Sequence, residues 1–541
     1  MKRPLPALLG LTLLLAGCGQ QASEATPTIS GTTSPGPGVG TIVNGGAGTG
    51  GTTAPTTNTS ANEIPPVPRV VSATPDCTQP TIAGEIARTV GPNLQDRGTL
   101  LPAQVLPGRV QAQGVTVKPN SVTDLLYQSK QILNELYFGY SAVDLNGLHE
   151  AAYQSFKTTF PSALNSYPVT DAVDPLMARY IGGVKDDHTY YLDAAHMANF
   201  NGATTNAAQP APRFGFVMVA PTTTEGVLIT DVQAGGPAFV AGLRRGDVVL
   251  GVDGQNLKRT VQPGHSADGS VDDSQQDALY SRLFSAAALK QTGIPFLVRR
   301  GSETRTVTVT AAILGGTELP WGEVRQDANG KAYYYLRIPS FEGKGIADQV
   351  HRLVAQASAQ NVGGIVVDLR DNGGGMVREY VGAVGAFAPA TAGESIHYLD
   401  ASQTTISYVN GRVQYATNCS NTPQTALIVS APSRWSGKVA VLLDQGSASA
   451  SEMFSQNIRQ GGHSILIGEE SYGVGNTSTF VLPLPVSRGL SVTAGRVYVG
   501  SVAATETVKP DIRVANDTEA LAVTGNDTAL AQAFQSLSGQ P

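Results

Sequence analysis

A run of small residues between a predicted strand and a predicted helix constrains this chain more than any other feature. Residues 446–452 read Gly-Ser-Ala-Ser-Ala-Ser-Glu; they follow the apolar segment 439–443 and precede the helix-like segment 453–458. A turn of this kind can hold a serine hydroxyl exposed above a sheet. Backbone N–H groups at the start of the helix can bind an oxyanion beside it. The pattern therefore predicts a nucleophilic serine carried by an α/β layer.

Two further runs support this interpretation. A second apolar strand-like segment, 366–369, leads into a Gly-rich turn that ends in Gly373-Gly374-Gly375, and Asp187-His188-Thr189 stands alone earlier in the chain. Histidine suits proton transfer because its pKa near 6.5 lets it take a serine proton and return it to a leaving amine. Together the three runs suggest a serine peptidase.

Strand and helix patterns alternate in the last part of the chain. This alternation predicts an α/β core with a largely parallel sheet, within a multi-domain chain that is α+β overall. The segment 389–436, rich in Thr, Ser, Asn and Gln, interrupts the alternation as a long excursion. The predicted strands are 333–338, 364–369, 439–443 and 465–467, and the predicted helices are 346–357, 377–387 and 451–459.

The N-terminus has the pattern of an export signal. Met1-Lys2-Arg3 precede an apolar stretch that is too short to cross a bilayer. The stretch ends in Leu15-Ala16-Gly17-Cys18, which resembles a bacterial lipobox with Cys18 as the lipidated residue. We therefore expect a signal peptide at 1–17 and a membrane anchor at Cys18. Residues 18–75 are rich in Gly, Ser, Thr, Pro and Ala, which predicts a flexible tether.

Charge and cysteine content narrow the choice of partners and cofactors. A net charge of −6 without a basic block argues against nucleic acid as a partner. No Cys/His cluster has metal-ligand spacing, and we expect neither metal nor cofactor. In an exported chain Cys77 and Cys419 can form a disulfide or remain free thiols, and the sequence leaves both open.

Two units precede the core. Residues 76–211 carry amphipathic helical patterns and end in the run with His188, which predicts a helical domain. Residues 212–312 contain short alternating segments typical of a small β-rich domain, and an unrelated β-barrel is the alternative. This unit resembles a PDZ domain, which implies that Phe214, Gly215 and Phe216 hold a peptide C-terminus. The resemblance depends on Arg213-Phe214-Gly215-Phe216, on 236–243 (GPAFVAGL), and on 245–254 (RGDVVLGVDG).

The order of these units and the core motifs at 368–375 (DLRDNGGG), 446–452, 467–473 (IGEESYG) and 508–512 (VKPDI) resembles the carboxyl-terminal processing and tricorn-core serine peptidases. The core is then 313–541. The resemblance implies that Ser449 is the nucleophile. It also implies that the amides of Gly373 or Gly374 and of Ala450 form an oxyanion hole.

The chain departs from the Ser–Lys branch of that family. Its run Tyr472-Gly473-Val474-Gly475 has valine at the position of the lysine base. Resemblance to the tricorn branch instead assigns the base to His188 and the orienting carboxylate to Glu506.

The function we expect is an exported, lipid-anchored serine endopeptidase. It would cleave unfolded or tail-exposed polypeptides, recognise C-termini through the PDZ-like domain, and face the periplasm or exterior from a bacterial membrane. The alternative is a catalytically silent peptide-binding lipoprotein with the same fold. Val474 is compatible with that alternative, whereas the retained serine run argues against it.

Overall fold

The computed structural model describes residues 74–78, 81–84, 117–139, 143–160, 163–205, 211–221, 225–261, 264–265, 271–272, 274–314, 318–388, 393–462 and 464–539. The predicted signal peptide, Cys18 and all but the last two residues of the predicted tether lie outside these ranges. Over the described ranges, no helix has both the length and the apolar character needed to cross a membrane.

The helices are numbered in chain order. They are α1 Val122–Leu136, α2 Leu145–Thr159, α3 Asp174–Gly182, α4 Ala194–Thr205, α5 Pro237–Val240, α6 Ser274–Leu289, α7 Ile346–Ser358, α8 Val377–Val384, α9 Ala450–Gln460, α10 Thr518–Thr524 and α11 Thr528–Ser538.

The strands are numbered in the same way. They are β1 Tyr190–Leu192, β2 Ala211–Arg213, β3 Phe216–Val219, β4 Val227–Val232, β5 Val248–Val252, β6 Gln255–Asn256, β7 Gly264–His265, β8 Val271–Asp272, β9 Gly293–Arg300, β10 Glu303–Thr310, β11 Ala312–Leu314, β12 Trp321–Gln326, β13 Ala332–Arg337, β14 Ile365–Asp368, β15 Gly393–His397, β16 Gln403–Val409, β17 Arg412–Thr417, β18 Ser420–Ile428, β19 Val439–Leu443, β20 Ser464–Gly468, β21 Thr477–Leu484, β22 Arg488–Val499, β23 Val502–Ala503 and β24 Ile512–Arg513.

A six-stranded sheet forms the centre of the core, in the order β12-β13-β14-β19-β20-β24. Only β12 runs antiparallel to its neighbour, and the other four pairings are parallel. Strands β14 and β19 are buried along their whole length, as is usual in a parallel sheet covered on both faces. The predicted α/β fold with a largely parallel sheet is confirmed.

Helices cover both faces of this sheet because successive side chains of a strand point in opposite directions. Ile365 and Val367 belong to the larger apolar core, which also contains residues of α7, α8 and α9. Val366, between them, packs in a separate cluster with Phe534 and its neighbours on α11. The strand ends that lead into the Gly-rich turn and the serine turn are therefore fixed from both sides.

The excursion at 389–436 forms the antiparallel strands β15 to β18. These strands extend an eight-stranded sheet through β15, which pairs with the long strand β22. Cys77 and Cys419 form a disulfide across a sequence separation of 342 residues, with their Cα atoms 5.4 Å apart. The bond ties the segment at 74–78 to the excursion, which settles the alternative that the sequence left open.

Strands β1 and β21 both pair with β22. The first follows the His188 turn, and the second follows the run that contains Val474. One strand thus brings together two segments almost 300 residues apart in the chain. Helix α1 also packs on β22. This helix begins after its N-cap Ser121, whose hydroxyl accepts a hydrogen bond from the Asp124 N–H at 3.2 Å.

The β-rich unit contains an antiparallel sheet in the order β10-β9-β5-β4-β3, with β6 paired to β5. Its apolar core includes Phe214 and Phe296 from the strand side and Tyr280 and Phe284 from α6. Strand β3 pairs with β4 at one edge of this sheet.

Candidate active site

Ser449 lies in the tight turn between β19 and α9, as the sequence predicts. Its backbone has φ 53° and ψ −114°, a conformation that residues other than glycine rarely adopt. Such a backbone costs on the order of 1–3 kcal/mol and persists only where the surroundings impose it. The residue is half-buried. The strain is of the kind expected for a serine held out above a sheet.

The Gly-rich turn packs directly against this serine turn. A Cβ atom on Gly374 would lie 2.8 Å from Ser449 Cβ, 2.9 Å from the Ala450 nitrogen and 2.7 Å from the Ala448 carbonyl oxygen. Gly374 also has φ +101°, which favours glycine. Only glycine allows the two turns to approach this closely.

Asn372 joins the two turns from a fully buried position. Its backbone carbonyl accepts hydrogen bonds from the Ala448 N–H at 3.0 Å and from Ser451 Oγ at 2.8 Å. Its side-chain Oδ1 accepts the Gly374 N–H at 2.9 Å. The Gly374 amide is therefore engaged within its own turn. The Ala450 N–H belongs to the first turn of α9, where amides have no acceptor within the helix.

Glu452 is a buried carboxylate that connects the serine turn to residues 471–474. Oε2 accepts the Ser449 N–H at 2.7 Å and the Val474 N–H at 3.0 Å. Oε1 accepts hydrogen bonds from the Ser471 hydroxyl at 2.5 Å and from the Gly473 N–H at 2.8 Å. Burial raises the pKa of Glu452 to about 7, although these four hydrogen bonds act in the opposite direction. Its position in the first turn of α9 also suits the helix dipole.

Val474 occupies the position where the resemblance would place a lysine. It is buried and forms a small apolar cluster with Ala448 and Tyr472, directly beside the serine turn. The side chain is a packing group and has no atom that can take a proton. This position therefore supplies no base for the predicted nucleophile Ser449.

His188 lies in the turn before β1 and is half-buried. Its Nδ1 is 2.7 Å from Oγ1 of Thr477, the first residue of β21. The backbone around it is fixed on both sides. Asp186 Oδ1 accepts the His188 N–H at 3.0 Å, and Ser491 Oγ donates to the His188 carbonyl at 2.8 Å.

Glu506 lies in the exposed loop between β23 and β24. Its backbone carbonyl accepts the Gly475 N–H at 2.9 Å. This contact joins the Glu506 loop to the segment that follows Val474.

Residues 471–477 connect all three predicted catalytic residues. The segment binds the Glu452 carboxylate, which accepts the Ser449 N–H, and it reaches the Glu506 carbonyl through Gly475 and the His188 ring through Thr477. The sequence alone does not predict the contacts of Thr477 and Asn372 or the linking role of Glu452. A single threonine or asparagine in a turn has no distinctive pattern, and only the folded chain shows which groups they face.

The predicted peptide-binding residues lie at the edge of the β-rich sheet. The Phe214 side chain is buried, with its ring against Phe296 at 4.9 Å between centroids. Gly215 has φ +77° and turns the chain into β3, which begins at Phe216. The backbone of the edge strand β3 can pair with an added strand, whereas the Phe214 ring packs in the apolar core of the β-rich unit.

Buried ion pairs hold the β-rich unit on the core. Arg337 of β13 contacts Asp231 of β4 at 2.6 Å. Arg245, in the turn before β5, contacts Asp527 at 3.1 Å, and Asp527 also pairs with Arg370 at 2.8 Å. Arg370 in turn pairs with Asp368. Burial favours the neutral form of Asp368, but the adjacent Arg370 guanidinium holds the pKa of that carboxyl well below its usual range.

Comparison with protein families gives two matches. Residues 332–514 match the model of peptidase family S41, and residues 228–263 match that of the PDZ domain. The first range contains the Gly-rich turn and Ser449. The second contains β4 and β5 of the β-rich unit.

Similar curated proteins are peptidases. The chain is 24% identical over 352 residues to "Carboxyl-terminal-processing peptidase 2, chloroplastic" of Arabidopsis thaliana, a match that covers 62% of this chain and 59% of that protein. It is 25% identical over 293 residues to "Tail-specific protease" of Haemophilus influenzae, covering 54% of this chain and 37% of that protein. The chain thus spans less than two thirds of the length of either relative.

A solved structure assigned to the S41 proteases, from Bacteroides fragilis, shares the fold. It aligns with a TM-score of 0.50 at 17% identity and covers 76% of this chain and 96% of that chain.

Proposed function

We propose that this chain is a serine endopeptidase that uses Ser449 and His188, a proposal supported by the matches of residues 332–514 to peptidase family S41 and of residues 228–263 to the PDZ domain. The observation that carries the proposal is the contact between the two turns. Gly374 packs against Ser449 Cβ and the Ala450 nitrogen, where a side chain would not fit. The amides of these two turns therefore lie close to Ser449, where an oxyanion would form.

The proposed reaction is acyl transfer. Ser449 Oγ attacks the scissile carbonyl while His188 takes its proton, and His188 then donates that proton to the leaving amine. Water repeats the sequence on the acyl-enzyme and releases the second product. Glu506 would stabilise the imidazolium charge that forms on His188, and the contact of its loop with Gly475 supports this role.

The proposed oxyanion donors are the amides of Ala450 and of the Gly-rich turn. Because Gly374 N–H donates to Asn372 in this structure, we assign the second amide to Gly373, with Gly374 allowing the close approach. Removing one such donor costs roughly 3–4 kcal/mol of transition-state stabilisation in other enzymes.

The proposed substrates are unfolded or tail-exposed polypeptides. An extended peptide would add to the edge strand β3, with its C-terminal carboxylate at the Phe214-Gly215-Phe216 loop. The edge position of β3 and the positive φ of Gly215 support this binding mode.

We propose that the enzyme is exported and lipid-anchored in the bacterial cell envelope. The lipobox-like run before Cys18 supports the anchor. The Cys77–Cys419 disulfide supports export, because disulfides persist mainly in oxidising compartments.

A catalytically silent peptide-binding lipoprotein is the second candidate. The burial of Val474 beside the serine turn favours it, because that residue replaces a base and fills the space with an apolar side chain.

Labelling of the purified full chain with a fluorophosphonate probe separates the two candidates. We expect the wild type to be labelled and both Ser449→Ala and His188→Ala to lose labelling, while Glu506→Ala is labelled more slowly. His196→Ala and Glu303→Gln are matched controls, because His196 of α4 pairs with Asp193, which precedes that helix, and Glu303 is exposed at the start of β10. A wild type that remains unlabelled and leaves casein intact would favour the silent peptide-binding protein.

A further inference from the structure

The contacts of His188 assign a role to a residue that the proposed catalytic set does not include. We infer that Thr477 is a positioning residue that fixes the tautomer and the orientation of the His188 imidazole. This inference rests on the proposed function in so far as His188 is the base, but its structural part can be tested without any reaction.

The assignment follows from counting hydrogens. A threonine hydroxyl has one hydrogen to donate and lone pairs to accept with. Thr477 Oγ1 also lies 3.3 Å from the Val474 carbonyl oxygen, which can only accept, and we assign the hydroxyl hydrogen to that contact. The contact of 2.7 Å between Thr477 Oγ1 and His188 Nδ1 then requires the hydrogen to be on Nδ1. In the neutral ring Nε2 therefore carries the lone pair, which is the form that can accept a proton from a serine.

The backbone holds the acceptor of the Thr477 hydroxyl in place. The Val474 N–H donates to Glu452 Oε2 at 3.0 Å, and its side chain packs in the cluster with Ala448 and Tyr472. On the other side, the Asn476 carbonyl accepts the Val497 N–H at 3.0 Å, and Thr477 is in register with Arg496 of β22. The hydroxyl therefore has a fixed direction, which a threonine in a loose loop would lack.

This arrangement suits a base that must charge and discharge in each cycle. When His188 takes a proton on Nε2, the Nδ1–H bond to Thr477 stays as it was, and no group has to rotate. A hydroxyl adds no charge, so Thr477 acts on geometry and tautomer, whereas the proposed role of Glu506 is electrostatic. The Glu452 carboxylate accepts both the Ser449 N–H and the Val474 N–H. One side chain therefore positions the proposed nucleophile and, through Val474 and Thr477, the proposed base.

The test compares wild type, Thr477→Val and Thr477→Ser in the full chain labelled with ¹⁵N at histidine. Valine has nearly the shape of threonine without the hydroxyl, whereas serine keeps the hydroxyl. His188→Ala identifies the His188 signals in the NMR spectrum. Ring nitrogen shifts report the tautomer, and the rate of fluorophosphonate labelling reports the reactivity of Ser449.

We expect Nδ1–H in the wild type and in Thr477→Ser, and a mixture of tautomers in Thr477→Val. The labelling rate of Thr477→Val should fall roughly tenfold or more, a part of the contribution that a positioned base makes. The Thr477→Ser variant should keep most of the wild-type labelling rate. KM for a peptide substrate should change little, because Thr477 positions His188 and does not bind substrate.

An Nε2–H tautomer in the wild type, or a Thr477→Val variant with the wild-type tautomer and labelling rate, would overturn the inference. A wild type that is folded but unlabelled would overturn the proposed function instead, and the NMR spectrum would still decide the tautomer. If Thr477→Val failed to fold, the wild-type spectrum and the Thr477→Ser variant would decide alone.

Discussion

The carboxylate of Glu452 accepts a hydrogen bond from the backbone N–H of Ser449 at 2.7 Å, although the two residues are only one turn apart. The same group accepts three more donors from residues 471–474. An ionised carboxylate, with acceptor sites on both oxygens, can satisfy all four. Burial nevertheless raises its pKa to about 7, against the effect of the four hydrogen bonds.

Glu452→Gln should remove the part of the pH dependence of the free energy of unfolding that comes from the raised pKa of Glu452. The folded pKa of about 7 lies above the ordinary value of 4.5, so folding favours the protonated form. The stabilisation from this group is complete below pH 4.5 and is lost as the pH rises through 7, which amounts to about 3 kcal/mol. Urea unfolding from pH 4.5 to 8 should therefore show a loss of stability that is larger in the wild type than in the variant by about 3 kcal/mol.

The comparison with Glu452→Gln is needed because burial also raises the pKa of Glu318 to about 7. The difference between wild type and variant cancels that contribution. Glu470→Gln, a half-buried neighbour of β20, is the control and should keep the wild-type pH dependence. An identical pH dependence in wild type and Glu452→Gln would show that the Glu452 pKa is not raised.

Gly374→Ala should abolish labelling of Ser449. The new Cβ would be within 2.9 Å of three atoms of the serine turn and would push the two turns apart. Gly330→Ala separates this effect from backbone strain, because Gly330 has φ +77° but open space around the added atom. We expect both variants to lose about 1 kcal/mol or more of stability, and only Gly374→Ala to lose labelling. Full labelling of a folded Gly374→Ala would contradict the proposed oxyanion site.

Asp231→Asn should loosen the docking of the β-rich unit on the core. Arg337 is buried, and the change removes one of the two carboxylate charges, those of Asp231 and Asp368, that offset its own, at a cost of up to about 3–5 kcal/mol. Glu323→Gln is the matched control, because it disrupts the more exposed pair with Arg325 and should cost at most about 1 kcal/mol. Denaturant unfolding measures both. Equal and small effects would mean that the Asp231–Arg337 pair contributes little to docking.

Local patterns in the sequence predict a large part of this fold. Alternating strand and helix periods predict the α/β core, because a strand buried on both faces is an apolar run and a covering helix is amphipathic. The run around Ser449 and the Gly-rich turn are predicted for the same reason, since a tight approach of two backbones requires small residues in both. These features depend on neighbours within about ten positions.

Features that depend on distant residues are not predicted. The strands of the excursion at 389–436 are not predicted, because they are held by pairing with one another and, through β15 alone, with the distant strand β22. The contact between His188 and Thr477 spans 289 positions and comes from strands that share β22. The resemblance assigns Glu506 as the orienting carboxylate, which stays a prediction, while no motif identifies the Thr477 hydroxyl that lies 2.7 Å from His188 Nδ1. The disulfide stays undecided in the sequence for the same reason.

Breaking the Cys77–Cys419 disulfide should destabilise the folded chain without changing the labelling of Ser449. The bond closes a loop of more than 300 residues, and loss of a native disulfide typically costs about 2–5 kcal/mol. Hydrogen bonds reinforce the same junction, since Asp400 Oδ2 accepts the Ile82 N–H at 2.7 Å and Ser402 Oγ accepts the Ala83 N–H at 2.9 Å. Thermal unfolding of Cys77→Ser/Cys419→Ser should therefore begin at a lower temperature than in the wild type. Reductant should lower the wild-type midpoint to that of the double variant and leave the variant unchanged. A reductant effect of equal size on both proteins would show that the bond does not stabilise the junction between the N-terminal segment and the excursion.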